Sequence, residues 1–252
     1  MPLDIQEAFL SFIPSKLFMT SLCRLFILTL LLFLPEPETQ GQVLNHGSRH
    51  ERNIALTFDA CPSSTHGGFD ARIIQTLADS GVPATLFLSG KWIQKHTREV
   101  KKLASMPQFE IGNLSYSHPH CTTLSDDSVT HELEQTESLL QRLIGTSAKL
   151  FRPSYGETNR RIDSLAQKIG LTTVNFDLAS GDPDSSLSRD RIIHYVVSSA
   201  RNGSIIVMHM NGRGWHTSEA LPLIIQGLRS KAFIFSHVSD LLRMQNASAR
   251  KQ

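Results

Sequence analysis

The chain has 252 residues, of which 40% are hydrophobic, and this is enough to bury one sizeable core. The net charge is only +2 and the basic residues are scattered, so the sequence does not predict a nucleic-acid-binding surface. It has neither a heptad repeat nor a repeat of twenty to fifty residues, which argues against coiled coils and solenoids.

The N-terminal segment differs from the rest in composition. Residues 25–34 read LFILTLLLFL, with Arg24 before them and PEPE after them. Ten residues are too few for a membrane span of ~20 residues but suit the apolar core of a signal peptide. We assign residues 1–41 to a signal peptide or, alternatively, to an uncleaved anchor, which would be the only membrane connection. Both assignments predict export to the periplasm, the cell surface or the extracellular space.

Short apolar runs alternate with amphipathic stretches through residues 42–245, which we assign to a single domain. The apolar runs are predicted to be strands, at 54–58, 84–88, 109–112, 149–151, 172–176, 204–208 and 232–235. The stretches with helical spacing are predicted to be helices, at 69–80, 91–105, 125–144, 159–169, 188–201, 218–230 and 238–244. The polar residues 246–252 are expected to form a frayed tail.

This alternation requires parallel strands joined by right-handed crossovers, as in an α/β fold. A doubly wound sheet and an incomplete (β/α) barrel both satisfy it. The barrel is favoured because no glycine-rich dinucleotide motif follows the first strand, and because polar residues follow many strands. These residues are Asp59, His118, Arg152, Asp177 and His209. We predict a single distorted, incomplete (β/α) barrel of about seven parallel strands, with these side chains around one mouth.

The first predicted strand and its end read IALTFDACP at 54–62. The apolar run stops at Asp59, as a buried strand does when it delivers a polar side chain to a site. Capping of the next loop is the alternative role for this residue. Cys61 follows, and Cys121 is the other cysteine outside the N-terminal segment. A disulfide between them and two separate buried thiols are both open.

Five segments, each at the end of a predicted strand, form a recognisable series. They are TFDAC at 57–61, NLSYSH at 113–118, RPSYG at 152–156, DLASGDPD at 177–184 and IIVMH at 205–209. In this order they resemble the motifs of the polysaccharide deacetylases, the NodB-like family of carbohydrate esterases. The resemblance spans residues 53–242. The TFDAC form, with SGDPD at 180–184 and the run at 208–222, resembles a subgroup of this family.

The resemblance implies that residues 42–245 are a deacetylase-like catalytic domain that hydrolyses N-acetyl or O-acetyl groups of a polysaccharide. It also implies a divalent metal, with Zn²⁺ as the first candidate, that polarises the acetyl carbonyl and activates water. By motif position, Asp59 is the general base, His209 the general acid, Arg152 the residue that orients the base and Asp182 the partner of the acid. Two aromatic side chains would face the sugar, Tyr155 and Trp215, although packing is the alternative role for Trp215.

Two positions depart from the family pattern. Ala60 stands where the family has its metal-ligating Asp, and Leu114 stands where it has its first ligating His. Of the usual three ligands only His118 remains, whereas a catalytic Zn²⁺ site needs about three. His120 and, less directly, His66 are candidate replacements that could join His118 and Asp59 around one ion. A plain surface turn is the alternative interpretation of residues 118–120.

We therefore expect an exported polysaccharide deacetylase-like hydrolase that acts on carbon–nitrogen, non-peptide bonds of an acetylated cell-envelope or extracellular polysaccharide. No nucleic-acid partner is expected, and the oligomeric state is open. The alternative is a catalytically silent glycan-binding protein with a degraded metal site. A third interpretation keeps the enzyme but makes its substrate a small cyclic amide.

Overall fold

The structure is a computed structural model that describes residues 43–62 and 68–249. The predicted signal or anchor segment at 1–41 and the candidate ligand His66 lie outside the described residues. Among the helices of the described ranges, none is both long enough and apolar enough to cross a membrane.

The described residues form one sheet in which every pairing of strands is parallel. The strands are β1 (Asn53–Ala60), β2 (Ala84–Leu88), β3 (Phe109–Asn113), β4 (Leu150–Phe151), β5 (Thr172–Thr173), β6 (Leu178–Ala179), β7 (Ile205–His209) and β8 (Ile234–Phe235). Seven of them follow the order β5-β4-β3-β2-β1-β7-β6, and β8 pairs with the start of β1. Within the described ranges no ladder joins β5 to β6, so the sheet is a curled half-barrel. The predicted incomplete barrel is confirmed.

Helices fill the crossovers between strands. They are α1 (Ala71–Ser80), α2 (Gly90–Lys95), α3 (Thr97–Ala104), α4 (Asp126–Ile144), α5 (Arg160–Lys168), α6 (Arg189–Ser199), α7 (Thr217–Ser230) and α8 (Val238–Ala249). Four of them begin at a side chain that accepts a hydrogen bond from a first-turn N–H, which offsets the unpaired donors there. The capping residues are Asp70, Ser125, Asn159 and Ser188.

Alternation along β1 separates two apolar clusters. Ile54 and Phe58 point towards the helices and belong to the larger cluster, together with Ala60. Ala55 and Cys61 belong to a smaller cluster on the interior face of the half-barrel. Because side chains alternate with a period of two, Thr57 and Asp59 also point inward. Asp59 thus lies on the interior face, near the end of a buried strand.

The register of β1 with its neighbours positions the site. Asp59 is paired with Phe87 of β2 on one side and with His209 of β7 on the other. Paired residues of adjacent parallel strands lie at the same level and point to the same face. The acid and the imidazole therefore reach the same end of the barrel.

Several boundaries differ from the prediction. The predicted helix at 91–105 is two helices that meet at His96, whose backbone is not helical and whose ring packs 4.5 Å from that of Trp92. The predicted strand at 172–176 ends at Thr173, and β6 was not predicted. Helix α8 continues through residues 246–249, which were expected to belong to a frayed tail.

Candidate active site

One cavity of about 280 Å³ opens at the C-terminal ends of the strands. It brings together side chains from all five sequence motifs or their flanks. Its walls include Asp59, His118, Tyr155, Phe176, Asp182, His209 and Arg213. Five of the predicted site residues therefore face one cavity, namely Asp59, His118, Tyr155, Asp182 and His209.

A buried ion pair holds Asp59. Nη1 of Arg152 donates to Oδ1 of Asp59 at 2.7 Å and to Oγ1 of Thr57 at 2.8 Å. Arg152 is fully buried, with its guanidinium 4.0 Å from the ring centroid of Phe87. A buried guanidinium requires a compensating charge, and Asp59 supplies it. The pair therefore fixes the direction in which the carboxylate of Asp59 points.

Arg152 pairs with Asp59 and not with Asp177, although Asp177 also follows a predicted strand. Asp177 pairs with Arg49 at 2.8 Å and accepts a hydrogen bond from the backbone N–H of Ile205 at 2.8 Å. These contacts tie the segment before β1 to the start of β7 and lie apart from the cavity residues.

His209 is held by Asp182 through two contacts. Nδ1 of His209 lies 3.0 Å from Oδ1 of Asp182, and the backbone N–H of His209 donates to Oδ2 at 2.7 Å. Asp182 also accepts from the hydroxyls of Ser180 at 2.9 Å and Thr217 at 2.6 Å. The carboxylate is therefore fully engaged, and Nε2 is the ring nitrogen of His209 that does not contact Asp182.

Asp182 also sets the protonation of His209. Burial alone would lower the pKa of His209, but the charge of Asp182 and its hydrogen bond raise that pKa above the ordinary value of 6.5. The imidazole therefore keeps its proton to higher pH than a free histidine. This is the state that a general acid needs.

Gly214 allows the backbone to pass close to Asp182. A Cβ at this position would lie 2.0 Å from Oγ1 of Thr217, 2.5 Å from Oδ2 of Asp182 and 2.8 Å from the carbonyl oxygen of His209. No side chain fits there without displacing the carboxylate.

The loop that carries His118 has an unusual backbone. Ser115 and His118 both have positive φ, at 58° and 61°. Asn113 stabilises this path because its Oδ1 accepts from the N–H of Ser115 at 2.7 Å, and Oγ of Ser115 accepts from the N–H of His118 at 3.1 Å. Positive φ in non-glycine residues costs energy and clusters at functional sites.

Glu132 of α4 holds the same loop from the other side. Its carboxylate accepts from the N–H of Tyr116 at 2.9 Å, the N–H of Ser117 at 2.7 Å and the hydroxyl of Ser117 at 2.7 Å. Sequence reasoning did not single out Glu132, since a glutamate on an amphipathic helix usually marks a solvated face.

His118 is neutral at physiological pH. Burial lowers its pKa to about 4, and the opposing charge of Asp59 only partly offsets this effect. A neutral imidazole can accept a hydrogen bond or bind a metal ion.

The donor set does not fit the divalent metal that the family resemblance implies. Ala60 and Leu114 are both fully buried, the first in the cluster beneath the helices and the second in the interior cluster. In the part of the chain that the structure describes, no three His, Cys, Asp or Glu side chains come together as a metal site. The predicted set of Asp59, His118 and His120 is therefore not assembled.

His120 turns away from that set for an identifiable reason. Its Nδ1 lies 2.8 Å from Oε2 of Glu157, and its ring stacks on Tyr155 at 4.1 Å between centroids. The ring of His118 contacts the same tyrosine at 4.7 Å with edge geometry. A spacing of two residues in a loop does not make two side chains converge.

The two predicted sugar-facing aromatics are both accessible. Tyr155 lines the cavity and is 53% exposed, and its φ of 61° places it in the left-handed region. Trp215 is 49% exposed and is anchored by its backbone N–H, which donates to the carbonyl of Asp182 at 3.0 Å. Trp215 is not among the residues that line the cavity.

Cys61 and Cys121 are both free and buried, so of the two alternatives the structure has separate thiols. The reason is topological. Cys61 lies in the interior cluster, whereas Cys121 packs in the cluster between sheet and helices.

Arg213 is the functional candidate that sequence reasoning missed. It lies in the loop between β7 and α7 and lines the cavity. Arg213 lies within residues 208–222, the run that resembles a subgroup of the family. Nothing in its spacing distinguishes it from a solvated arginine.

The structure is an open (β/α) barrel with a carboxylate and an imidazole at the C-terminal ends of its strands, which is the architecture that the family resemblance implies. The profile of the polysaccharide deacetylase family matches residues 46–174. A peptidoglycan-N-acetylglucosamine deacetylase of Bacillus cereus is 31% identical over 207 residues, covering 81% of this chain and 73% of that protein. The chain belongs to the polysaccharide deacetylase family.

Two further comparisons extend this similarity. A bifunctional xylanase/deacetylase of Pseudobutyrivibrio xylanivorans is 29% identical over 218 residues, and the chain spans only 35% of that protein. A crystal structure of a peptidoglycan N-acetylglucosamine deacetylase with a bound N-oxidanyl-benzamide compound is 29% identical with a TM-score of 0.73. The similarity covers 79% of this chain and 92% of that one.

Proposed function

We propose that the chain is a hydrolase that removes N-acetyl or O-acetyl groups from a polysaccharide. One observation carries this proposal. The carboxylate of Asp59 and the imidazole of His209 face one cavity from paired strand positions, and each is anchored by a buried partner of opposite charge, Arg152 and Asp182.

In the first step, Asp59 takes a proton from a water molecule whose oxygen attacks the acetyl carbonyl carbon. The electron pair of the carbonyl π bond moves to its oxygen, giving a tetrahedral oxyanion. Arg152 keeps the Asp59 carboxylate in one orientation during this transfer, through the charge-assisted hydrogen bond from its Nη1 to Oδ1 of Asp59.

In the second step, the oxyanion re-forms the carbonyl and the bond from carbon to nitrogen breaks. The nitrogen keeps the electron pair and takes the proton from Nε2 of His209, so that the amine and acetic acid or acetate leave. Asp182 stabilises the imidazolium before this transfer. Solvent then removes the proton from Asp59 and returns one to His209.

Members of the family are generally metal-dependent, but the described donor set of this chain does not supply three ligands. The steps above therefore use only groups of the chain itself. We also propose that TFDAC at 57–61 marks a subgroup in which Ala60 is the regular residue.

The substrate proposed is an acetylated polysaccharide of the cell envelope or its surroundings. Two observations support it. The relative in Bacillus cereus carries the name of a peptidoglycan deacetylase, and Tyr155 presents an exposed ring at the edge of the cavity. Export itself rests on the segment at 1–41.

Acetate release from acetylated glycans tests the proposal. Full-length protein is incubated with peptidoglycan, N-acetylated chitooligosaccharides and acetylated xylan, and acetate is quantified for the wild type and His209→Asn. Release by the wild type that the variant lacks supports the proposal. No release by the wild type from any of the three would refute it.

A silent glycan-binding protein is the second candidate. The replacement of two usual ligand positions by the buried apolar residues Ala60 and Leu114 favours it. It predicts binding of the same glycans with no acetate release, which isothermal titration alongside the acetate assay distinguishes.

A further inference from the structure

Arg213 brings a cation to the cavity that the mechanism above does not use. The residue is solvent-exposed and lines the same cavity as Asp59, His118 and His209. Arg213 therefore lies beside the place where the proposed mechanism puts the acetyl group.

The loop that carries Arg213 is firmly attached to the end of β1. Nδ2 of the buried Asn211 donates to the carbonyl of Cys61 at 2.7 Å, and Oδ1 of Asn211 accepts from the N–H of Arg213 at 3.3 Å. Nη1 of Arg213 lies 3.9 Å from Sγ of Cys61. The side chain thus starts from a fixed backbone position beside Asp59.

Arg213 has no acidic partner of its own within the described residues. The other cavity charges are already matched, Asp59 with Arg152 and Asp182 with His209. The remaining donors of the guanidinium are therefore available to a ligand. A carboxylate or an oxyanion is what a planar guanidinium binds best.

We propose that Arg213 binds the acetyl oxygen and stabilises the negative charge that develops on it, in place of the metal ion whose ligand positions are Ala60 and Leu114. The inference rests on the proposed deacetylase function. Both a metal ion and a guanidinium place fixed positive charge where the oxyanion forms, which is the largest single contribution in many acyl-transfer sites. A guanidinium places this charge without the coordinating side chains that a metal ion requires.

A purely structural role of Arg213, through its contact with Cys61, makes different predictions. It would not depend on the ability of residue 213 to carry charge, and added guanidinium would not restore a truncated variant. Arg213→Lys retains the charge and Arg213→Gln removes it at similar length, so these variants separate the two roles. Arg189→Gln, at an exposed arginine of α6, is the matched control for loss of one positive charge.

The first experiment measures acetate release from N-acetylated chitooligosaccharides by the full-length wild type and these variants, with and without a chelator. We expect kcat of Arg213→Gln to fall roughly 100-fold, the usual cost of removing one oxyanion donor. KM should change little, and kcat of Arg213→Lys should lie between those of the wild type and Arg213→Gln. Added guanidinium should partly restore the kcat of a further variant, Arg213→Ala. The chelator should not change the kcat of the wild type. Wild-type kcat in Arg213→Gln, or loss of wild-type activity on chelation, overturns the inference but leaves the proposed function standing.

The second experiment uses acetate as the probe and needs no turnover. Calorimetry or NMR titration measures its affinity for the wild type, Arg213→Gln and Arg189→Gln. We expect acetate to bind roughly tenfold or more weakly to Arg213→Gln alone, in line with the loss of a charge-assisted hydrogen bond. If the wild type shows no deacetylation but this pattern holds, the anion site stands and the proposed function falls. Equal affinity in all three proteins overturns the inference.

Discussion

Asp59 and His209 occupy paired positions on the adjacent parallel strands β1 and β7. Each of the two side chains has a buried ion-pair partner. Asp59 is bound by the fully buried Arg152, and His209 is bound by Asp182, which is 1% exposed. In the proposed mechanism the first pair is the base side and the second pair is the acid side of one cavity, and each can be tested separately.

On the base side, we expect Asp59→Asn to lower kcat by roughly 10²–10⁴-fold, the contribution typical of a general base. The substitution also removes the charge partner of buried Arg152, which should destabilise the fold by about 3–5 kcal/mol. Acetate release and thermal unfolding monitored by circular dichroism measure the two effects. Near-normal turnover in a folded variant would exclude Asp59 as the base.

On the acid side, activity should fall as pH rises through the raised pKa of His209, because only the protonated imidazole can supply the leaving-group proton. Asp182→Asn removes the charge that raises this pKa, so the alkaline limb of kcat/KM should move to lower pH. Exposed Asp190 gives the control variant, Asp190→Asn. An unmoved limb would show that Asp182 does not set the protonation of His209.

The same pair gives a sign for stability against pH. The folded-state pKa of His209 lies above its ordinary value of 6.5, so its contribution is fully present below pH 6.5 and is lost as pH rises through the folded-state value. Chemical denaturation across this window measures the free energy of unfolding of the wild type and of Asp182→Asn. The difference between the two values should become smaller towards alkaline pH.

The sequence was informative wherever a side chain follows directly from a strand. Asp59 and His209 each end a predicted strand and Arg152 follows one, and the parallel order of the sheet then brings them together. Residues in loops were harder. His120 was predicted to join His118, but its direction depends on Glu157 and Tyr155, which are remote in sequence. Local spacing carries no information on such contacts.

Short elements were missed for a related reason. β6 has two residues and exists because of its pairing with β7, not because of any propensity of Leu178–Ala179. The position of Arg213 at the cavity depends on remote neighbours in the same way, because Asn211 attaches its loop to the end of β1.

The metal question has a direct test in Leu114 and His120. Leu114→His restores one usual ligand position beside His118, so we expect Zn²⁺ occupancy to rise relative to the wild type. His120→Ala should leave occupancy unchanged, because that ring is engaged with Glu157 and Tyr155. Metal content after dialysis against Zn²⁺ gives both results. Lower occupancy in His120→Ala would return His120 to the ligand set.

The loop that holds His118 depends on Glu132. Glu132→Ala removes the acceptor for two backbone N–H groups and one hydroxyl, of Tyr116 and Ser117. We expect a loss of about 2–3 kcal/mol in the free energy of unfolding, since hydrogen bonds to a charged group are lost and the donors are left unpaired. Urea denaturation measures this loss, with exposed Glu134→Ala of the same helix as the control. Turnover should fall as well, because the left-handed backbone at Ser115 and His118 is held in place by these contacts. A variant as stable and as active as the control would show that the loop keeps its path without Glu132.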